Sequence, residues 1–561
     1  MSLPRWSNCP AALILCFVLF VVAGPAALAQ CHFASSGGGR VVTYTFEPDL
    51  ANGAPVLHAT VTFQGSASGT EQIEVPTQWA GEHLNAVRNL RALSPETTIE
   101  DGARPYERII RYKPDSEVTL AYDLVKDWSG PLVHPMQFHP VVMPEYFEIN
   151  GENALVHPEI DRSAQVIANF DFHKLPASWA LATSFGTSTE ANGRCQFFSG
   201  SWIAVAEALF AAGDFRIRRF AIGRQPAVLA VRGEWKFTDE DAIGDIQKVV
   251  GLVRDFWHDD NFPYFLVTLK PYDQDHGSSD GSAFTNAFWM YVSRLDSISG
   301  LLPQLAHETF HAWNPRKMGT YGNGEETKST WFHEGFTQYY GFLLVYRAGL
   351  MDLPAYVESV NSDLRKYPNT NDPYVRGRAI ALWLDGEIRK ESGGKKTLDN
   401  MMYDMVGDAA KPLTLSRVFE TAGRYIDADS RGQLERAVAE GIDLPLPADA
   451  ALGGCAAVSL SKVEVPSADL GFDVNTTRST RKVTGVREDG PAYKAGLRNG
   501  QDVRGISYHA NDPKQVAKIS IQAEGGVTLI QYYPATATIV VPQYHTDSTA
   551  AAGKRPACLG N

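Results

Sequence analysis

Long apolar runs are scarce in this chain. Apart from Ala11–Ala23 near the N-terminus, no stretch approaches the roughly 18 residues that a membrane-spanning helix needs. Fixed-period repeats and low-complexity tracts are also missing, which speaks against a solenoid and against a long disordered segment. Positive charge is in deficit. Against 51 Lys and Arg stand 64 Asp and Glu, a formal net charge of −13, and so acidic a surface disfavours nucleic acid as a partner. Cysteine is sparse, with six in 561 residues.

What is present begins with a leader. Residues 1–29 combine Arg5, the short apolar run and the small-residue pattern Ala27-Leu-Ala29, a secretory signal peptide with a membrane anchor as the alternative. Its removal takes one positive charge and no acid, so the net charge moves from −13 to −14. Cys9 and Cys16 leave with it. The remaining four, Cys31, Cys195, Cys455 and Cys558, form an even set for an oxidising compartment, periplasmic or secreted. Three pairings are open. Because two cysteines bracket an early region and two a late one, Cys31–Cys195 and Cys455–Cys558 are the expected bridges.

The length implies three or four domains. Residues 30–237 carry short alternating runs such as Val41–Phe46 and Val56–Phe63, as an all-β domain does. Residues 238–445 change period, with helical spacing over Asp239–Phe256, Leu301–Asn314, Thr330–Ala348, Leu353–Tyr367 and Arg378–Ser392. A strand-like run at 264–269 and a Gly/Ser-rich segment after it add a small sheet to this mainly α domain. After a Pro/Ala/Gly-rich linker, residues 455–561 return to short strands around Val483–Val486, Val503–Ile506, Val527–Ile530 and Thr538–Val541. The fold class is a multidomain α+β protein.

The chemistry concentrates in His307-Glu-Thr-Phe-His311. Two histidines four apart on a helix project from one face about a turn apart, so both imidazoles can reach one zinc ion. Glu308 lies about 100° further round, placed to take a proton from a metal-bound water. A catalytic zinc of this kind needs a third protein ligand, and Glu334, which opens the next helical stretch, matches the third-ligand glutamate of gluzincins. His333 points elsewhere on that helix and reads as a structural or supporting residue. Trp313, Trp331 and Phe336 read as core.

The run His307-Glu-Thr-Phe-His-Ala-Trp-Asn314, then Trp331-x-x-Glu-Gly-Phe-Thr-x-Tyr-Tyr-Gly341, then Arg347-Ala-Gly-Leu350 resembles the glycyl aminopeptidase family of gluzincin metallopeptidases. That resemblance implies an N-terminal β domain, a thermolysin-like catalytic domain and a C-terminal PDZ domain, one zinc ion and a peptide or protein substrate. It also implies that Tyr374, in Asp372-Pro-Tyr-Val-Arg-Gly377, stabilises the oxyanion. Asp469-Leu-Gly-Phe472 with Gly490-Pro-Ala-Tyr-Lys-Ala-Gly-Leu497 resembles a PDZ domain. Leu470, Gly471 and Phe472 would then form the loop that receives a peptide C-terminus, the other reading being a packed lid or spacer.

One position departs from the pattern. Aminopeptidases of the resembled families hold the substrate's free amine with a glutamate in a Gly-rich strand beside the zinc. In the corresponding Gly281-Ser-Ala-Phe-Thr-Asn286, Phe284 stands at that place, with Asp280 as a weak substitute. The expectation is therefore a zinc peptidase of altered specificity, extending to endopeptidase action. The competing reading is a catalytically weak or inactive scaffold that binds partners through its PDZ-like and β domains.

Overall fold

Alternation of β-branched and aromatic residues with polar ones shapes the first part of the protein. In the strand Arg40–Asp49, Val42, Tyr44 and Phe46 are buried while their neighbours are partly exposed, the period-two signature of a half-buried sheet. This strand pairs in parallel with Gln165–Phe172 and antiparallel with Val56–Gln64, inside a six-stranded sheet. A five-stranded sheet containing Tyr146–Asn150 and Leu209–Gly213 joins it, and Phe46, Phe147, Phe170, Phe172 and Phe210 form an aromatic core. The expected disulfide Cys31–Cys195 is present and ties the start of the described chain to the edge strand Cys195–Ser201. The computed structural model describes residues 31, 39–50, 53–188, 194–262, 265–273, 279–321, 324–367, 370, 372–448, 458–523 and 526–546. Residues 1–29, Cys455 and Cys558 lie outside these, and with them the leader and the second bridge. No helix among the described residues is long and apolar enough to cross a membrane.

A second five-stranded sheet, in the order Arg216–Ile222, Gln225–Val231, Phe265–Lys270, Ala287–Tyr291, Asp280–Phe284, supports the helical region. Its first hairpin lies before residue 237, where the sequence reading ends the N-terminal domain. The sheet therefore crosses that boundary, because alternation marks a strand without saying which sheet it joins. The two β regions also meet through a buried ion pair. Lys270 on this sheet binds Glu148 on Tyr146–Asn150, and both are almost fully buried. Thr268 Oγ1 and Tyr291 Oη donate to the same carboxylate at 3.0 and 3.2 Å.

Five helices frame the site: α1 (Asp239–Trp257), α2 (Leu302–Phe310), α3 (Thr330–Arg347), α4 (Leu353–Leu364) and α5 (Pro373–Ser392). α1 starts with a capping box in which Thr238 and Asp241 satisfy each other's backbone N–H. α3 and α5 cross in close contact at Gly335 and Gly377. A Cβ on Gly377 would lie 1.9 Å from the Trp331 carbonyl oxygen, and one on Gly335 would lie 2.2 Å from the Gly377 Cα. Only glycine permits that approach. The sequence reading starts α5 at Arg378. It begins five residues earlier, with Asp372 as N-cap accepting from the Tyr374 N–H and Pro373 at the first helical position.

The C-terminal region docks on α4. Val458–Asp469 and Ala535–Thr546 form a long antiparallel ribbon, and Asn361 of α4 both donates to the Tyr544 carbonyl and accepts from its N–H, each at 2.8 Å. A three-stranded sheet with its own small core completes this part. The expected strand at Val483–Val486 is not formed, although the other three are.

Candidate active site

The two histidines meet as the helical spacing requires. α2 ends at Phe310, and His311 keeps helical backbone angles just beyond it, so the rings face each other at 4.7 Å between centroids. The regular helix stops at Phe310, short of the expected Asn314, and the chain continues in turns up to Pro315. Asn314 is wholly buried instead, its side-chain amide donating to Thr337 Oγ1 on α3 at 3.2 Å, which joins the two helices. Glu334, in the first turns of α3, completes the set. Its Oε2 lies 3.4 Å from His307 Nε2 and 3.4 Å from His311 Nε2, and the two Nε2 atoms lie 3.1 Å apart. A tetrahedral zinc ion with bonds of about 2.0–2.1 Å separates its ligands by about 3.3 Å. The three atoms thus fit around one such ion. His311 Nδ1 lies 2.9 Å from the Asn314 carbonyl, which fixes the proton there in the neutral ring and leaves Nε2 as a lone-pair donor.

The electrostatics match that arrangement. Burial acts to raise the Glu334 carboxyl, but the charge of His311 and hydrogen bonds from His307, His311 and His333 outweigh it and hold the group well below the usual carboxylate range. Glu308 is the opposite case. Burial raises its carboxyl above the ordinary value, with the histidines pulling it back and Glu334 adding to the rise. Its place depends on a glycine: a Cβ on Gly281 of the neighbouring strand would come within 3.1 Å of Glu308 Cγ and Oε1.

Tyr374 reaches the same centre from the first turn of α5. Its ring stacks against His307 at 5.9 Å and its hydroxyl hydrogen-bonds Glu334. Lost hydration on the site side, then the Glu334 and Glu308 carboxylates, push the phenol far up, so it keeps its proton at neutral pH. The residue is still 42% accessible, so a substrate can reach it. His333 lies 3.4 Å from the second Glu334 oxygen, and its Nδ1 lies 3.1 Å from Tyr321 Oη. Tyr321 had no signal in the sequence, since it sits in the turn-rich segment between the two ligand helices.

Other expected residues fall elsewhere. Phe284 is buried, packed on Trp79 and Trp289, and offers nothing to an amine. Asp280 accepts from Tyr272 Oη at 2.5 Å and lies 3.5 Å from His134 Nδ1, so its carboxylate is already engaged. Trp313, Trp331 and Phe336 are core residues. The PDZ-like loop is remote from the metal ligands in sequence and packs into the small C-terminal core, with Leu470 and Phe472 buried. The Gly471 N–H is taken by Asp469 Oδ1 at 3.0 Å, and the loop leads into a short helix, Val474–Thr480, where strand addition would need an open strand edge.

Fold and site together define a zinc metallopeptidase. More particularly, residues 301–385, which include His307, Glu308, His311, Glu334 and Tyr374, match the family model of M61 glycyl aminopeptidase. No curated protein matches the chain. Among solved structures, an aminopeptidase N family protein from Idiomarina loihiensis is 16% identical, covering 91% of this chain and 99% of its own with a TM-score of 0.65. An M1 zinc metallopeptidase from Deinococcus radiodurans is 15% identical, covering 73% of this chain and 94% of its own with a TM-score of 0.48. The first of these likenesses is one of fold.

Proposed function

We propose that this protein is an exported peptidase that hydrolyses peptide bonds at one zinc ion held by His307, His311 and Glu334. The observation that carries the reading is the convergence of those ligands with a buried carboxylate, Glu308, and a protonated phenol, Tyr374, on one accessible point. The bound ion would supply Lewis acidity towards a water and the scissile carbonyl. Glu308, buried beside the two histidines, takes the proton of that water and delivers it to the leaving amine. Tyr374 donates its hydroxyl to the developing oxyanion. The leader and the Cys31–Cys195 bridge support a periplasmic or secreted location. The lack of a free carboxylate at Phe284 and Asp280 supports a specificity that does not rest on the substrate's amine.

Glu308→Gln decides this reading against the inactive scaffold. It should leave zinc content and melting temperature unchanged while lowering kcat by about 10²- to 10⁴-fold. Substantial turnover in the variant, or none in the wild type on a peptide library, would reject it.

A further inference from the structure

Among the described residues the strand beside the base lies at the end of its sheet. Among the described residues Asp280–Phe284 pairs only with Ala287–Tyr291, through the two-residue turn Thr285-Asn286. In such a hairpin the residues flanking the turn, Phe284 and Ala287, exchange ladder hydrogen bonds, and alternate pairs do not. The backbone N–H and C=O of Ala283 and Gly281 therefore face the open edge. At Gly281 the face of this strand lies against Glu308, whose Cγ and Oε1 would come within 3.1 Å of a Cβ there, so the open edge runs past the base. An extended peptide presented to Glu308 has these groups to pair with.

At Ala283 the edge is already taken. Arg316 Nη2 donates to the Ala283 carbonyl at 2.9 Å, and Arg316 Nε donates to Glu207 Oε2 at 2.9 Å. Glu207 belongs to the N-terminal region, and its own carbonyl accepts from the Thr285 N–H at 2.8 Å. Behind it Arg162 bridges Glu207 and Glu152 at 3.3 and 3.0 Å. A charged, braced side chain thus stands where the next substrate residue would form its hydrogen bond. From Gly281 to Ala283 the strand advances only about 7 Å.

We infer that Arg316, held by Glu207, plugs the open edge and limits how many substrate residues fit on one side of the scissile bond. A peptide added antiparallel runs against the direction of Asp280–Phe284, so its amino-terminal residues point towards Ala283 and the limit falls on them, at about two residues. Carboxyl-terminal residues run the other way, past Gly281, where among the described residues no side chain hydrogen-bonds the backbone. The inference rests on the peptidase reading and adds to it a specificity-determining residue: the substrate is cut near its amino end by exclusion of a longer chain, without a charge that reads the amine.

The test uses the full chain loaded with zinc and two ladders of N-acetylated peptides around one scissile bond, lengthened stepwise on the amino side or the carboxyl side. Acetylation removes the amine from the comparison, so only length varies. In the wild type kcat/KM should fall at least tenfold once the amino side exceeds two or three residues, with no fall on the carboxyl ladder. Arg316→Ala should raise the ratio of long to short substrates at least tenfold on the amino ladder alone. Glu207→Gln, which frees Arg316 at one atom, should move it in the same direction by less, and serves if the alanine variant does not fold. Equal cleavage of all amino-side lengths by the wild type, or an unchanged ratio in both folded variants, overturns the plug and leaves the peptidase reading intact. No turnover on any member of either ladder overturns both.

Discussion

Gly377→Ala tests how Tyr374, the oxyanion donor of the proposed reaction, is positioned, far more sharply than its single methyl suggests. In a free helix the change would stabilise by about 1 kcal/mol. Here the added Cβ meets the Trp331 carbonyl at 1.9 Å, and ordinary contact begins at 3.4 Å, so α3 and α5 must part by about 1.5 Å. Overpacking of that kind costs about 1–3 kcal/mol, which leaves a net loss of about 0–2 kcal/mol and a modest fall in Tm. The functional effect is larger. Glu334 lies on α3 one residue before Gly335, and Tyr374 lies on α5 three residues before Gly377, so separating the helices draws the phenol from the metal ligands. Misplacement by about 1 Å can cost 10²-fold in rate, and loss of an oxyanion donor altogether 10²- to 10³-fold. The expected outcome is a folded protein with zinc bound and kcat lowered about 10²-fold, in which adding Tyr374→Phe costs little more. Wild-type kcat in the folded alanine variant would refute the reasoning, and so would a full further loss on adding Tyr374→Phe.

Replacing Glu334 by Ala should lower zinc occupancy after dialysis, measured by metal analysis, whereas Glu308→Gln should not. Lys270→Met should destabilise by about 3–5 kcal/mol in denaturant unfolding because it leaves Glu148 buried and unpaired, and Lys270→Met with Glu148→Leu should recover most of that. The base must be ionised to act, so kcat/KM should show an acidic limb that Glu308→Gln abolishes, with activity lost as pH falls through it.

The grouping of His307, His311 and Glu334 is legible in the sequence because its geometry is local: the two histidines need only one helix, and Glu334 opens the next. Tyr374 is legible only through resemblance, and the Asp372-Pro373 cap opens its helix before the apolar period begins. Arg316, Tyr321 and Glu207 carry no pattern at all. Each acquires its part from a neighbour distant in sequence, such as the 109 residues between Glu207 and Arg316. The hairpin Arg216–Val231 shares a sheet with strands beyond residue 237 for a related reason: alternation reports a buried face but not the element that buries it. The second disulfide gained no structural counterpart, since both its cysteines lie outside the described residues.

The buried Lys270–Glu148 pair bears on how such a chain can be inherited. An acid donated by the N-terminal region and a base donated by the peptidase sheet must arrive together, because either alone is a charge stranded away from water. A recombination event that joined this peptidase half to a different β region would have to bring a matching carboxylate to the same strand, or replace both partners at once. The pair therefore acts as a compatibility lock between the two halves, and exchange between relatives should preserve or lose it as a unit.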